Sequence, residues 1–187
     1  MEEFEIKFLE VDVPSLEKKL LAIGAEKAGE YTYSRTLWDY PDKSLDEKDA
    51  WVRLRTDGKE TTLTYKERIG GSDDGDEGMK EIEIVVENYE KTFELLKAIG
   101  LVIKREEGNK RIRYIKGEVV FDIDSWPFIP TYIEIESSSY EKARSAAGEL
   151  GFDGSQGIIG TAGTIYKKYG FDKDEYSSIT FEGMVKK

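Results

Sequence analysis

Charged side chains recur two residues apart in segments of this sequence where they alternate with apolar residues. The first such segment, EFEIKF, places Glu3, Glu5 and Lys7 at alternate positions with a phenylalanine or isoleucine after each. In a strand the charged side chains would share one face and the apolar side chains the other. Carboxylates beside an ammonium could bind a cation and an anion if that face lies in a cavity; facing solvent, they would form an ordinary strand surface.

The same spacing returns along the chain and assembles groups of both signs. The cations at these positions are Lys7, Arg53, Arg55, Lys66, Arg111 and Arg113. The carboxylates are Glu3, Glu5, Glu81, Glu83, Asp124, Glu134 and Glu136. Six cations suit the oxyanions of a triphosphate, because arginine offers forked hydrogen bonds and lysine a point charge. The carboxylates offer hard oxygen ligands for one or two divalent ions that bridge phosphate oxygens.

Two other interpretations of these faces remain. Any single strand could carry a solvated charged face. The two signs could also neutralise each other in a buried salt-bridge network, but burying an ion costs several kcal/mol, which pairing alone rarely offsets.

The composition restricts the chemistry further. The 187 residues include no Cys and no His, which excludes disulfides, thiolate nucleophiles, Ser-His-Asp catalysis and the usual zinc sites. A bound metal must have oxygen ligands, which favours Mg²⁺, Mn²⁺ or Ca²⁺. The net charge of -11 makes nucleic acid an unsuitable partner for the surface as a whole. The acidic N-terminus and the absence of a long apolar run predict a cytoplasmic protein with no membrane partner.

An internal similarity defines the expected elements. An alternating strand followed by a helix-like stretch that ends near a glycine occurs three times, starting at Glu3, Glu81 and Tyr132. Pro14 suits a first helical turn, and Asn88 and a serine of the run 137–139 suit N-caps. Gly24, Gly100 and Gly151 suit helix ends, and a further short helix is expected over Thr164–Tyr169.

Five further β-rich segments lie between these units. They are Thr32–Tyr40, Ala50–Thr56, Thr61–Arg68, Lys110–Gly117 and Glu118–Asp124. The acidic loop Gly70–Gly78 lacks the ligand spacing of a calcium loop. The pattern predicts about eight strands, mostly antiparallel neighbours, in an α+β fold whose sheet closes on itself with helices outside and charged side chains inside.

Taken together, these residues resemble the CYTH superfamily, the triphosphate tunnel metalloenzymes. The hallmark Glu-x-Glu-x-Lys stands at Glu3, Glu5 and Lys7. In order follow an Arg-x-Arg strand, a lysine on the next strand, a central Glu-x-Glu, a basic-x-Arg strand, and an Asp ten residues before a last Glu-x-Glu. The match covers residues 1 to about 150. The family often has Lys where Arg111 stands, and an acidic residue and a Tyr where Arg35 and Leu37 stand.

The resemblance implies one domain over residues 1–187, with an eight-stranded antiparallel closed β-barrel over 1–152 and a segment, 153–187, that packs on the barrel or closes it. It implies Mg²⁺ or Mn²⁺ as cofactor. The phosphate-binding residues would be Lys7, Arg53, Arg55, Lys66, Arg111 and Arg113. The metal ligands or their supports would be Glu3, Glu5, Asp124, Glu134 and Glu136, with Glu5, Lys7 and Glu136 as the catalytic set and Glu81 and Glu83 without a fixed role.

Three functions remain open at this stage. The first is metal-dependent hydrolysis of inorganic, thiamine or nucleoside triphosphate. The second is a class IV adenylyl cyclase, which forms cyclic AMP and pyrophosphate from ATP. The third is a non-catalytic binder of polyphosphate or nucleotide. A cyclase needs a pocket for adenine, for which only Trp38, Trp51 and Trp126 are aromatic candidates, and each is better explained by packing. A homodimer is left open.

Overall fold

The protein is described by a computed structural model that covers residues 2–68 and 79–187. The strands are β1 Glu2–Phe8, β2 Glu26–Asp39, β3 Ala50–Thr56, β4 Thr61–Arg68, β5 Met79–Val86, β6 Val102–Lys116, β7 Val119–Ser125, β8 Tyr132–Ser137, β9 Tyr176–Thr180 and β10 Gly183–Lys186. The helices are α1 Val13–Ala22, α2 Tyr89–Ala98, α3 Tyr140–Glu149 and α4 Ala162–Lys168. The predicted loop Gly70–Gly78 lies outside the described residues.

The three long helices begin and end where local sequence predicts. The side chains of Asn88 and Ser139 accept hydrogen bonds from backbone N–H groups three residues on, at the starts of α2 and α3. Gly24 and Gly100 adopt positive φ angles of 82° and 97° just after α1 and α2, a conformation that glycine reaches without a Cβ clash. The predicted capping signals are therefore confirmed.

The prediction of an eight-stranded antiparallel β-barrel that closes on itself is wrong, although the expected α+β fold with a largely antiparallel sheet is confirmed. The structure has one sheet of ten strands in the order β10-β9-β6-β2-β3-β4-β5-β1-β8-β7, with an additional pairing of β6 and β7. The strands β9 and β10 extend this sheet from β6, and β9 lies parallel to β6. Between β1 and β5 the register covers only Glu2↔Lys80 and Glu3↔Met79.

The length of β6 explains how the extra strands are added. Its 15 residues pair with β2 along most of their length, with β9 at Glu106 and Glu107, and with β7 from Lys110 to Lys116. A strand of this length leaves room for the C-terminal strands beside the part that β7 does not reach. Strand propensity within single short segments could not predict this addition.

The apolar strand faces meet the helices over most of the sheet. Ile6 is fully buried and packs in one cluster with Leu16 and Leu20 of α1 and Ala147 of α3. Trp38 is fully buried beneath α2, in edge-to-face contact with Phe93 at 4.9 Å between ring centroids. The prediction that the apolar side chains of EFEIKF face the helices is therefore confirmed.

Strand β5 is the exception. Ile82 and Ile84 are 56% and 54% exposed, although they alternate with Glu81 and Glu83 as expected for a strand. Within the described ranges the helices therefore cover the sheet unevenly, and they leave the apolar side chains of β5 more exposed than those of β1 and β2.

Candidate functional site

The charged side chains lie on the sheet face opposite the helices, here called the charged face. On β1 and β8 the register pairs Glu5 with Glu136 and Lys7 with Glu134. Lys7 is only 1% exposed, and its Nζ lies 2.5 Å from Glu5 Oε1 and 3.3 Å from Glu134 Oε2. A lysine buried between two carboxylates stays charged, because its ionised form is the one that both partners stabilise.

The acidic groups around Lys7 titrate differently. Burial raises the pKa of Glu134, but Lys7, Arg111 and Lys66 outweigh it and lower that pKa to about 2. Burial and the charge of Glu134 raise the pKa of Glu5 above its ordinary value. The pKa of Glu136 is raised by burial, by Glu134 and by Glu5. Glu5 and Glu136 therefore ionise less readily than an exposed glutamate, whereas Glu134 ionises more readily.

Two arginines of β6 are tied to two aspartates of β7. Arg111 donates from Nε and Nη2 to the two Asp124 oxygens at 2.7 and 2.6 Å, and its Nη1 lies 2.5 Å from Asp122 Oδ2. Arg113 makes the same forked contact with Asp122 at 2.8 and 2.6 Å. Arg111 Nη2 also lies 3.4 Å from Glu134 Oε1, which links this group to β8.

A third group spans β3, β4 and β5. Arg53 Nη2 lies 3.1 Å from Glu83 Oε2 and 3.4 Å from Glu81 Oε1, across two strands. Lys66 Nζ lies 2.5 Å from Glu81 Oε2, and Arg55 lies 3.6 Å from Glu83. Contacts between strands that are not neighbours show that the charged face is curved enough to bring its side chains together. Glu81 and Glu83, whose role was open, are partners of cations here.

Arg35 of β2 joins these groups, although it is not among the predicted site residues. It is 8% exposed and pairs in register with Arg55. Its Nη2 donates to Asn109 Oδ1, and its Cζ lies 4.7 Å from the centroid of the Trp126 ring. Burial and then Arg53 lower the pKa of Arg35 to about 9. The alternation of β2, which puts it on the face of Tyr33, is the signal that could have identified it.

Asp122 is the second residue that the site prediction omitted. It is buried, and it contacts both Arg111 and Arg113. Its spacing of two residues from Asp124 was visible in the sequence and is the signal that places both carboxylates on one strand face.

The C-terminal segment supplies a further charged group at one end of the charged face. Lys173, in a short 3₁₀ turn before β9, is buried with Nζ at 2.6 Å from Glu107 Oε1 and 4.6 Å from the Trp126 ring centroid. Arg105 Nε lies 2.6 Å from the same Glu107 oxygen. Trp126 also packs against Tyr166 of α4 in one apolar cluster. This end of the face is therefore covered by residues of the segment 153–187.

The acidic side chains fit a divalent cation by chemistry rather than by a preformed geometry. No group of three or more acidic side chains is arranged to hold a metal ion within the described part of the chain. The side chain of Glu3 falls outside that part. Glu5 and Glu136 are hard oxygen donors, face each other in register, and have raised pKa values. A cation between them would offset both the burial and the carboxylate repulsion that raise those values.

The predicted site residues are thus brought together in unequal ways. Lys7, Glu5, Glu134 and Glu136 form one group, and Asp124 belongs to the arginine group of β6 and β7 rather than to it. Arg113 is held by Asp122.

Two of the three tryptophans considered for base binding are accounted for by packing, whereas Trp51 is half-buried. Trp38 and Trp126 are buried in apolar clusters. At the end of the charged face away from the C-terminal segment, Tyr31 and Tyr33 stack at 5.5 Å between ring centroids, and Arg55 lies 4.5 Å from the Tyr33 ring. These two rings line a small surface depression with Arg55.

Comparisons with known proteins agree on one family. A profile of the CYTH domain matches residues 1–158. No curated protein sequence matches the chain. Among solved structures, a protein from Pyrococcus horikoshii has a TM-score of 0.71 at 20% identity and covers 85% of this chain and 96% of its own.

Two further structures carry functional descriptions. A putative adenylate cyclase from Vibrio parahaemolyticus has a TM-score of 0.76 at 14% identity, covering 89% of this chain and 98% of its own. A putative adenylyl cyclase from Hippeastrum is described as having a dominant triphosphatase activity. Its TM-score is 0.63 at 16% identity, and the match covers 94% of this chain and 99% of its own. At these identities the likeness concerns the fold. Among the helices in the described ranges, none has the length and apolar character to cross a membrane.

Proposed function

We propose, given that this chain belongs to the CYTH domain family, that it hydrolyses a triphosphate with the help of a divalent metal ion. The substrate would be inorganic, thiamine or nucleoside triphosphate, and the ion Mg²⁺ or Mn²⁺. The Hippeastrum protein is named as a putative adenylyl cyclase but described as having a dominant triphosphatase activity, which supports hydrolysis rather than cyclisation as the first candidate.

One observation carries the proposal: Arg35, which is buried, gathers with the half-buried Arg53 and Arg55, and among the described carboxylates only Glu81 and Glu83 form ion pairs with these three arginines. Burial lowers the pKa of Arg55, and Arg53 and Arg111 lower it further, to about 10. Arg55 forms an ion pair with Glu83 at 3.6 Å, and Arg53 forms an ion pair with the same carboxylate. Such a group is costly in the free protein and becomes favourable when a polyanion enters, which is the expected arrangement for a phosphate chain.

The opposite side of the face supports a metal ion. Glu5 and Glu136 could hold a divalent ion, with Glu134 as a supporting carboxylate and Asp124 acting on Glu134 through Arg111. A metal there would supply charge neutralisation for phosphate oxygens and a more acidic bound water. The lysines and arginines of the charged face would then position the phosphate chain beside that ion.

Each cation has a stated task in this proposal. Lys7 and Lys66 would bind phosphate oxygens next to the acidic group, while Arg53, Arg55 and Arg111 would hold the rest of the chain by forked hydrogen bonds. Arg113 would act through Asp122, which orients both arginines of β6. Phosphoryl transfer needs positioning and neutralisation above all, and both come from groups already fixed by strand register.

Adenylyl cyclase activity is the second candidate. The description of the Vibrio parahaemolyticus structure favours it, and so do the stacked rings of Tyr31 and Tyr33 beside Arg55, since a nucleotide base could pack there. The same cations and metal would serve both reactions, so the charged groups do not discriminate between them.

A product assay tests the proposal. The protein is incubated with Mg²⁺ or Mn²⁺ and with tripolyphosphate, thiamine triphosphate or ATP, and phosphate, pyrophosphate and cyclic AMP are separated. Release of phosphate is expected. Cyclic AMP with pyrophosphate would establish the cyclase instead. Thermal stabilisation by triphosphate without any product would establish a binder and overturn the proposed hydrolysis.

A further inference from the structure

We propose that Arg35 is an additional phosphate-binding residue, which forms an anion subsite at the end of the charged face that the C-terminal segment covers. The inference rests on the proposed function, because it assigns this subsite to a phosphoryl group of the bound triphosphate. Arg35 is not among the six cations that the sequence pattern selected.

Arg35 is buried without an ion-pair partner of its own among the described residues, because Glu107, whose charge favours the ionised form of Arg35, pairs with Arg105 and Lys173. Its Nη2 has an amide oxygen, Asn109 Oδ1, as partner, and its Nε is buried without an acceptor among the described residues. None of the described carboxylates lies within ion-pair distance of it. A buried guanidinium that lacks both an ion pair and a full set of acceptors destabilises the free protein.

Arg105, on the neighbouring strand, shows what a structural arginine looks like in this protein. It is equally buried, but it pairs with Glu107 at 2.6 Å and with Asp174 at 3.1 Å, and it donates to the carbonyl oxygen of Lys173 at 2.8 Å. Arg35 lacks such partners among the described residues, and this contrast indicates that a bound ligand supplies the acceptors that Arg35 needs.

The neighbours of Arg35 make the missing partner an anion. Arg55 stands directly opposite it in the β2–β3 register, and Arg53 and Arg111 are close enough to repel it. Arg53 also has a buried Nε with no acceptor in the described part of the chain. A phosphoryl group, with several acceptor oxygens and a multiple negative charge, would satisfy these donors and reverse the repulsion.

The surroundings hold Arg35 in place for such a contact. Its guanidinium lies over the Trp126 ring, and Trp126 is fixed in turn by Tyr166 of α4. Asn109 is fully buried, and its Nδ2 donates to Asp124 Oδ1 at 3.2 Å, so the amide oxygen that Arg35 meets is also fixed. Asn109 and Trp126 are therefore positioning residues for Arg35.

The test compares Arg35→Gln and Arg35→Lys with the wild type. The control is Arg144→Gln, since Arg144 is an exposed arginine of α3. Thermal unfolding is measured without ligand and during titration with tripolyphosphate and Mg²⁺. Without ligand, R35Q should unfold at the wild-type temperature or above it. Its Kd for tripolyphosphate should rise about tenfold to hundredfold, the usual effect of losing hydrogen bonds from a charged donor. R35K should bind with intermediate affinity, and R144Q like the wild type.

The outcomes separate this inference from the proposed function. If tripolyphosphate does not bind the wild type, the proposed function fails and the inference with it. If tripolyphosphate binds the wild type and R35Q with equal Kd, the inference alone fails. An R35Q protein that is unfolded or clearly less stable than the wild type without ligand would also overturn the inference, because Arg35 would then be a structural residue.

Discussion

Replacing Glu136 by Gln should make the free protein more stable while it abolishes metal-dependent activity. Glu136 is partly buried, faces Glu5 in register, and makes no hydrogen bond or ion pair with the described residues. Burial raises its pKa, as do the charges of Glu134, Glu5 and Asp122. The neutral amide has nearly the same shape, so the substitution removes repulsion without leaving a cavity.

The magnitude follows from cross-strand pairing. Like charges directly opposite each other on paired strands destabilise by about 0.2–1 kcal/mol. The E136Q protein should therefore be more stable by up to about 1 kcal/mol at pH 7. For a chain of this length that corresponds to a rise in Tm of roughly 2–4 °C. Unfolding is followed by circular dichroism in a chelating buffer, so that no metal ion contributes.

The pH dependence gives the effect a second signature. Because the folded-state pKa of Glu136 lies above its ordinary value of 4.5, the folded protein binds more protons than the unfolded chain between these two values. The wild type therefore loses stability as the pH rises through that window. E136Q lacks this loss, so its advantage should be full above the raised pKa and absent below about pH 4.5.

Glu106→Gln is the matched control, because Glu106 is exposed on β6 and belongs to the opposite strand face from Glu107. This variant should keep wild-type stability and activity. The reasoning is refuted if E136Q is less stable than the wild type at pH 7, or if it keeps wild-type turnover at limiting Mg²⁺.

Three further predictions concern the core, the buried lysine and the metal. Ile6→Asp should unfold the protein, because a carboxylate in the fully buried cluster costs about 4 kcal/mol or more. Ile99→Asp, at an exposed position, should leave the protein folded, and circular dichroism compares the two variants. Lys7→Met should lower the free energy of unfolding by about 3 kcal/mol, because it leaves Glu134 buried without its nearest cation. It should also abolish tripolyphosphate binding, because Lys7 is one of the proposed phosphate-binding residues. Denaturant unfolding measures the first effect and calorimetry the second, and a wild-type value for either would contradict the assignment. Removal of divalent ions with a chelator should stop phosphate release, and Mg²⁺ should restore it; metal-independent turnover would exclude the proposed role of the carboxylates.

Local residue patterns were enough to predict the elements that carry the site. The alternation in EFEIKF placed Ile6 toward α1 and α3 and Lys7 on the opposite face, because a strand has a period of two whatever its partners are. Asn88 was sufficient to locate the start of α2, since capping depends on neighbouring backbone groups. The expected helix over Thr164–Tyr169 is present as α4, Ala162–Lys168.

What the sequence analysis missed depends on contacts between distant residues. The parallel pairing of β9 with Glu106 and Glu107 joins segments about 70 residues apart, and nothing in the short run YSSIT marks it as a strand partner of β6. The short register between β1 and β5 is likewise a property of two distant strands. Lys173 belongs to no periodic pattern, so its burial against Glu107 could only be seen in the structure. The division into a core over 1–152 and a C-terminal segment stays a prediction, as does the cytoplasmic location.

The central claim, that the charged face binds a triphosphate and a divalent ion, is tested most directly by a crystal structure with a non-hydrolysable triphosphate and Mn²⁺. The account predicts a phosphate chain in contact with Arg53, Arg55 and Arg111, and an anomalous Mn²⁺ signal bounded by Glu5 and Glu136. A triphosphate bound at any other surface, or a Mn²⁺ ion that touches neither carboxylate, would contradict it.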